Sequence, residues 1–349
     1  MQYAAVAQST NEANLNVGKV KFNAATDQLF VEEGLKNLTS NRLLWSIADS
    51  AYYVFNGIAW VKLLDTKQGQ LDTVFAMEYN ICTFKKQTDR FSDYARDGNM
   101  TCQLGKYFYS FGGWNPVISS GSDNQIYRSS GNLSKWEKLP NAPWAHRHCF
   151  GLVTKNDTAF IFGGDMIGDY SPDCWAATAD SSGNLSWHLL NGNMPWGKRV
   201  MFGSCLHNNA IYVLGGQNNT EYDKGVCNDV WRSYDGKKWE RIANNLPQFG
   251  KNMAGTSISF NGYIYVVAGG KYHNNKAYKT YDSQVWRSKN GVDWERLPDA
   301  PFRGKQFPNT VVYDNRLFVF FGSNDDYVPS NSKAIWYLDQ NLSWHKVHN

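Results

Sequence analysis

Apolar and polar positions alternate over short runs along the chain, and the runs stop at clusters of Asn, Asp and Gly. This is the pattern of short, half-buried strands joined by turns. The stretch Asn228 to Ile242, NDVWRSYDGKKWERI, shows it clearly, with an aromatic-bearing run on each side of Asp235-Gly236. Asp-Gly tolerates the positive φ of a tight turn, so a hairpin is predicted that sets Trp231 and Trp239 on neighbouring antiparallel strands. A spacing of eight returns at Trp286 and Trp294, at Trp336 and Trp344, and at Tyr52 and Trp60. Looser copies carry Tyr127 with Trp136 and Trp175 with Trp187, making six aromatic hairpins.

A second landmark is locked to the first. Apolar runs ending in a glycine pair close at Gly113, Gly164, Gly216 and Gly270, with an imperfect fifth at Ser323. Successive ends lie 51, 52, 54 and 53 residues apart, and the next Trp follows after 23, 23, 23, 24 and 21 residues. A period near fifty indicates a repeat architecture. Turns at Lys155-Asn156-Asp157, His207-Asn208-Asn209, Asn261-Gly262 and Asp314-Asn315 precede the apolar runs, and a further apolar stretch precedes each turn. The unit is therefore four antiparallel strands, A to D, and such sheets bury both faces by stacking around an axis.

With the glycine pair closing strand B and a Trp in strand D, the chain resembles the kelch repeats of β-propellers from Arg96 to Asn349. The resemblance implies an all-β, kelch-like, six-bladed β-propeller of four-stranded antiparallel blades. The first blade is the degenerate one, since VKFNAATDQLFVEEG ends in Glu33-Gly34 and lacks the glycine pair. The expected organisation is an N-terminal arm over 1–15 and a single propeller over 16–349, with an insertion near 65–93. Because the last aromatic hairpin lies at the chain's end, the ring is expected to close between whole blades.

Composition narrows the functional classes. The 349 residues carry a net charge of +4, which gives no general attraction to nucleic acid or membranes. No apolar run approaches the length of a membrane-crossing helix, and no secretory signal is visible at the N-terminus. Aromatics reach 15% and charged residues only 19%, matching a large β-rich core under an amide-rich surface. Cys82, Cys102, Cys149, Cys174, Cys205 and Cys227 show no pairing pattern and read as free, buried thiols.

Candidate site residues fall on one end of the blades. The C-to-D and A-to-B connections are short, whereas the B-to-C loops are long and bear Trp114, Tyr170, Tyr222 and Tyr272 among Asn and Asp. Long loops on a rigid scaffold are where binding residues concentrate. The D-to-A links emerge at the same end and align on an aromatic, including Trp144 and Trp196, and on a cation. Arg96, Arg147, Arg199, Lys251 and Lys305 lie 17, 17, 17, 19 and 18 residues before the end of the following apolar run. Such a ring either focuses field on an anionic ligand group or pairs with carboxylates inside the blades. The link aromatics are likewise either sugar-stacking plates or packing.

No catalytic set, metal site or cofactor is expected. In His146-Arg147-His148-Cys149, alternate residues on a strand point to opposite faces, which opposes joint coordination. The N-terminal strand-turn-strand phrases weakly resemble bacteriophage tail-fibre proteins. That resemblance implies a non-enzymatic virion or extracellular-surface protein that binds a bacterial surface glycan or cell-surface receptor beside other virion proteins. A sugar mutarotase resembling the kelch-type N-acetylneuraminate epimerases and a protein-interaction kelch propeller are the alternatives.

Overall fold

Paired residues of positive φ set the register of the fold. Asn156-Asp157, Asn208-Asn209, Asn261-Gly262 and Asp314-Asn315 all adopt φ between 45° and 76°, the mirror-image turn that matches the right-handed twist of the strands it joins. Each forms a two-residue A-to-B turn, closing the pairs Lys155 with Thr158, His207 with Ala210, Phe260 with Tyr263, and Tyr313 with Arg316. The computed structural model describes residues 91–118, 120–131, 133–218, 225–247, 256–271, 280–323 and 334–347, together with the backbone of strands between 20 and 71.

Five four-stranded antiparallel meanders follow, numbered here as blades 1 to 5. Blade 1 comprises Met100–Leu104, Tyr107–Trp114, Ser122–Ser129 and Glu137–Leu139. Blade 2 comprises Gly151–Lys155, Thr158–Phe162, Cys174–Ala179 and Leu185–Asn191. Blade 3 comprises Gly203–His207, Ala210–Leu214, Val230–Ser233 and Glu240–Ala243. Blade 4 comprises Thr256–Phe260, Tyr263–Gly269, Asp282–Ser288 and Glu295–Leu297. Blade 5 comprises Asn309–Tyr313, Arg316–Phe320, Ile335–Leu338 and Trp344–Val347. Strand A of each blade packs beside strand A of the next, so the A strands are innermost.

The count of six is corrected to five. The chain divides into two compact units, Met1–Phe84 with His348–Asn349 and Lys85–Val347. In the first, the strands make two three-stranded sheets instead of one blade. Val20–Asn23 pairs on one edge with Gln28–Val31 and on the other with Gln70–Leu71, while Arg42–Ser46, Ala51–Phe55 and Trp60–Leu63 form a separate meander. The hairpin of Tyr52 and Trp60 does form, but an aromatic hairpin needs only local pairing, whereas a blade needs two hairpins joined edge to edge. The expected arm over 1–15 lies outside the described residues. Of the expected insertion, only Gln70–Leu71 and residues 91–93 are described.

The C-to-D connection also differs from a two-residue turn. Strand C of blade 3 ends at Ser233 and strand D begins at Glu240, across a seven-residue register gap between Arg232 and its partner Glu240. Side chains replace the missing ladder: Ser233 Oγ accepts from Gly236 N at 2.8 Å and Asp235 Oδ1 accepts from Lys237 N and Lys238 N, both at 2.9 Å. Blade 4 repeats this with Ser288 and Asn290. The D-strand Trp fastens the same turn, with Trp239 Nε1 donating to Gly236 O and Trp294 Nε1 to Gly291 O.

Four apolar clusters hold the blades together, one at each junction. Between blades 1 and 2, Tyr109 and Phe111 meet Trp144, Ile161 and Ala177. Between blades 2 and 3, Phe160 and Phe162 meet Trp196, Ile211 and Val213. Tyr212 and Leu214 meet Ile264 and Val266 at the next junction, and Tyr265 and Val267 meet Leu317 and Val319 at the last. With neighbours on both faces, strand B of blade 3 is buried at every position, which explains its continuous apolar run AIYVL. Trp239 crosses the junction of blades 2 and 3, edge-on to Trp196 at 4.4 Å and to Phe162 at 5.8 Å between ring centroids. Trp239→Ala is therefore expected to destabilise the protein by about 3 kcal/mol, the cost of emptying a large aromatic site. Urea denaturation measures it, and a loss below roughly 1 kcal/mol would show that the ring does not join the blades.

Candidate functional site

Strand B of each blade ends in two residues of fixed, unusual conformation. The φ values are 55° and 121° at Gly112-Gly113, 64° and 106° at Gly163-Gly164, and 56° and 90° at Gly215-Gly216. In blades 4 and 5 the equivalent pairs are Ala268-Gly269, at 56° and 122°, and Phe321-Gly322, at 57° and 90°. In blades 4 and 5 the pairs thus end one residue earlier than the sequence suggests, and a side chain is accepted at the first position. The second position is tighter: a Cβ on Gly164 would stand 2.7 Å from Phe150 Cβ, and one on Gly216 would stand 2.6 Å from Phe202 Cβ.

Beneath the pairs of blades 1, 2, 3 and 5 lies the link cation. Arg147 Nη1 donates to Gly163 O at 3.1 Å and to Asp173 Oδ1 at 2.5 Å, and its Nη2 donates to Asp173 Oδ2 at 3.0 Å. Arg199 makes the same fork on Gly215 O at 3.0 Å and Asp229 at 2.6 and 3.0 Å. Arg96 holds Gly112 O and Asp123, and adds Gln125 Oε1 at 2.6 Å. The three guanidinium side chains are 0%, 0% and 2% exposed. Their main chain reaches the other way. Gly113 N donates to Arg147 O and Gly164 N to Arg199 O, and Arg147 N donates to Asp123 O. Arg147 and Arg199 therefore each bind their own blade by side chain and the preceding blade by backbone.

The charge of these arginines is answered within the blade by Asp123, Asp173 and Asp229. Burial alone would push the Asp173 and Asp229 carboxyls up, but hydrogen bonds and charge from Arg147 and Arg199 outweigh it. With help from the indole N–H groups of Trp175 and Trp231, both acids are held below the usual carboxylate range.

Lys305 breaks the series. It is 4% exposed, and its Nζ has no hydrogen-bond partner. Lys251, Tyr222 and Tyr272 lie outside the described residues.

The link aromatics and one loop tyrosine also turn inward. Trp144 is 1% exposed, Trp196 7% and Tyr170 3%. Trp144 packs edge-on to Trp187 and lies under the Arg147 guanidinium, while Tyr170 OH accepts from Gln217 Nε2 at 2.9 Å. Apolar rings so placed fill the blade junctions and present no face to a ligand. Trp114 is half-buried at the loop end of blade 1, where Gly121 of the same loop lies against Trp114 Nε1 and Ile167 of the neighbouring loop. Val117 and Ile167, which the sequence reading passed over, are 72% and 48% exposed. Exposed aliphatic residues inside polar loops were the available signal. At the rim, Lys198 Nζ pairs with Asp169 Oδ2 at 2.5 Å, joining a link to the loop of the preceding blade.

Among the described residues, no group of three or more His, Cys, Asp and Glu side chains is placed to hold a metal. His148 is partly buried, and burial lowers its pKa against the opposing charges of Asp165 and Asp97. The described cysteines are all free, and burial pushes the Cys102 and Cys205 thiols up to about 12.

Residues 198–245, which run from the Arg199 clasp through strand D of blade 3, match the family model of the Kelch motif. Blade 3 thus carries a Kelch motif, and the fold is a β-propeller. The chain is similar to the solved structure of YjhT, with a TM-score of 0.57 over 86% of this chain and 91% of that one. Sequence identity is 14%, so the likeness speaks to the fold alone. No curated protein matches the sequence.

Removing one member of a buried ion pair strands the other, so Arg147→Ala and Arg199→Ala should each cost about 3–5 kcal/mol of stability. A loss under about 1 kcal/mol in denaturant titrations would show that the clasps are dispensable. Asp229 has its pKa lowered from 3.8 in the fold. Its contribution is therefore complete above that value and is lost as pH falls through the lowered folded value. The stability gap between wild type and Asp229→Asn should be constant near neutrality and shrink below pH 3.8; a gap unchanged in acid would contradict the pairing.

Proposed function

We propose that the protein is a non-enzymatic binding propeller that recognises a surface glycan through its long-loop end. The observation that carries this reading is the pair of exposed aliphatic side chains, Val117 and Ile167, on adjacent loops beside the half-buried Trp114. Apolar pyranose faces pack on such surfaces, and neighbouring amides and carboxylates take the hydroxyls. The arginines at this end serve the scaffold, so the loops supply the recognition. The finer form of the reading, a virion adhesin on a bacterial surface, rests on the weak tail-fibre resemblance of the N-terminal phrases.

A glycan-array screen of the purified chain, run beside a sugar-anomerisation assay, tests the proposal. Binding without turnover is expected. Val117→Asp and Ile167→Asp should each lower affinity for the captured glycan by about tenfold or more while leaving the melting temperature unchanged. Binding that both variants retain in full would remove the loop patch from the site. Anomerisation by the wild type would move the protein to the epimerase-like alternative.

A further inference from the structure

Strand register aligns the five blades residue by residue. The strand-B partners of Tyr127, Trp175, Trp231, Trp286 and Trp336 are Ser110, Ile161, Val213, Val266 and Val319, each two residues before the left-handed position that closes strand B. Two residues before these aromatics stand Gln125, Asp173, Asp229, Gln284 and Ala334. Asp173 and Asp229 answer their arginines there, and Gln125 does so with help from Asp123. Blade 5 carries a methyl group where blades 2 and 3 carry a carboxylate.

Its cation nonetheless follows the arginine path. Lys305 lies sixteen residues before Phe321, as Arg147 does before Gly163 and Arg199 before Gly215. A Cβ on Gly322 would stand 2.9 Å from Lys305 Cδ, just as one on Gly164 would stand 3.3 Å from Arg147 Cδ. Lys305 Nζ lies 4.7 Å from the centroid of Phe302, the counterpart of Trp144 beneath Arg147 at 5.1 Å. The backbone stitch is kept as well: Gly269 N donates to Lys305 O, and Lys305 N to Asp282 O. Among the described residues, the path of the cation and its backbone bonds are kept, while the anion and the cation's own hydrogen bonds are missing.

We propose that blade 5 holds a binding subsite for a small carboxylate, in which the ligand's carboxylate takes the place that Asp173 and Asp229 fill in blades 2 and 3. Lys305 Nζ supplies the charge. Trp336 stands at the register position of Trp175 and Trp231, whose indole N–H groups donate to those aspartates, and its ring packs against Phe302 at 6.4 Å. A buried ammonium without a counter-ion is unfavourable, so an arriving carboxylate recovers interaction that the fold leaves unmade. Burial as the sole cause of a lowered Lys305 pKa agrees with this, because no carboxylate in the described structure pairs with the charge. The subsite is separate from the Val117 and Ile167 patch and is tested without a glycan.

Thermal melts of the full chain in sodium acetate provide the test, with acetamide and with sodium chloride of equal ionic strength as controls. Acetate should raise the melting temperature of the wild type by about 2 °C or more above both controls. In Lys305→Met the acetate-specific rise should vanish. Ala334→Asp installs the missing carboxylate, so it should raise the melting temperature without ligand and abolish the response to acetate. An equal rise in Lys305→Met, no acetate-specific rise in the wild type, or an undiminished response in Ala334→Asp would each overturn the proposal. Should Lys305→Met fail to fold, Ala334→Asp decides alone.

Discussion

The buried pairing of an arginine with an aspartate beneath a left-handed strand end is the constraint on which the rest of the propeller depends. Strand B must stop, turn and allow strand C to return alongside it, and the carbonyl exposed at that break needs a donor. Arg147 and Arg199 provide it, and their carboxylate partners cancel the charge that burial would otherwise penalise. Since the same residue's main chain is bonded to the preceding blade, one side chain sets both the shape of a blade and its seat against its neighbour. Aromatic packing then fills the space that the clasps define.

Much of this was legible in the sequence because it is local. Two-residue Asn and Asp turns, apolar runs and the aromatic eight-residue spacing each depend on neighbours a few positions away, and they appear in the structure. The cations were found by their constant distance to the strand end. Their carboxylates were not, because Arg96, Arg147 and Arg199 are separated from Asp123, Asp173 and Asp229 by 27, 26 and 30 residues across loops of differing length. Counted backwards from the strand-C Trp, Asp173 and Asp229 fall in one column, and that alignment would have revealed two of the three clasps.

The blade count failed for a related reason. Tyr52 and Trp60 sit in a sound hairpin, yet nothing in a hairpin specifies what its outer edges meet. In the N-terminal unit the edge of Val20–Asn23 is taken by Gln70–Leu71, a two-residue strand with no aromatic mark to predict it. Similarly, Trp144, Trp196 and Tyr170 have the composition of a sugar platform, but whether a ring faces a neighbouring blade or solvent is decided by tertiary packing.

The clasp also separates architecture from variation. By fixing where strand B leaves the blade and where strand C re-enters it, Arg147 with Asp173 and Arg199 with Asp229 seal the base of the loop above them. Asp173 follows Gly164 by nine positions and Asp229 follows Gly216 by thirteen, over the same base. Chain inserted above that seal adds length without transmitting a change of register to the strands below. Each blade is thus a socket that accepts foreign segments, and new surfaces can be written at the loop end while the stacked sheets stay as they are.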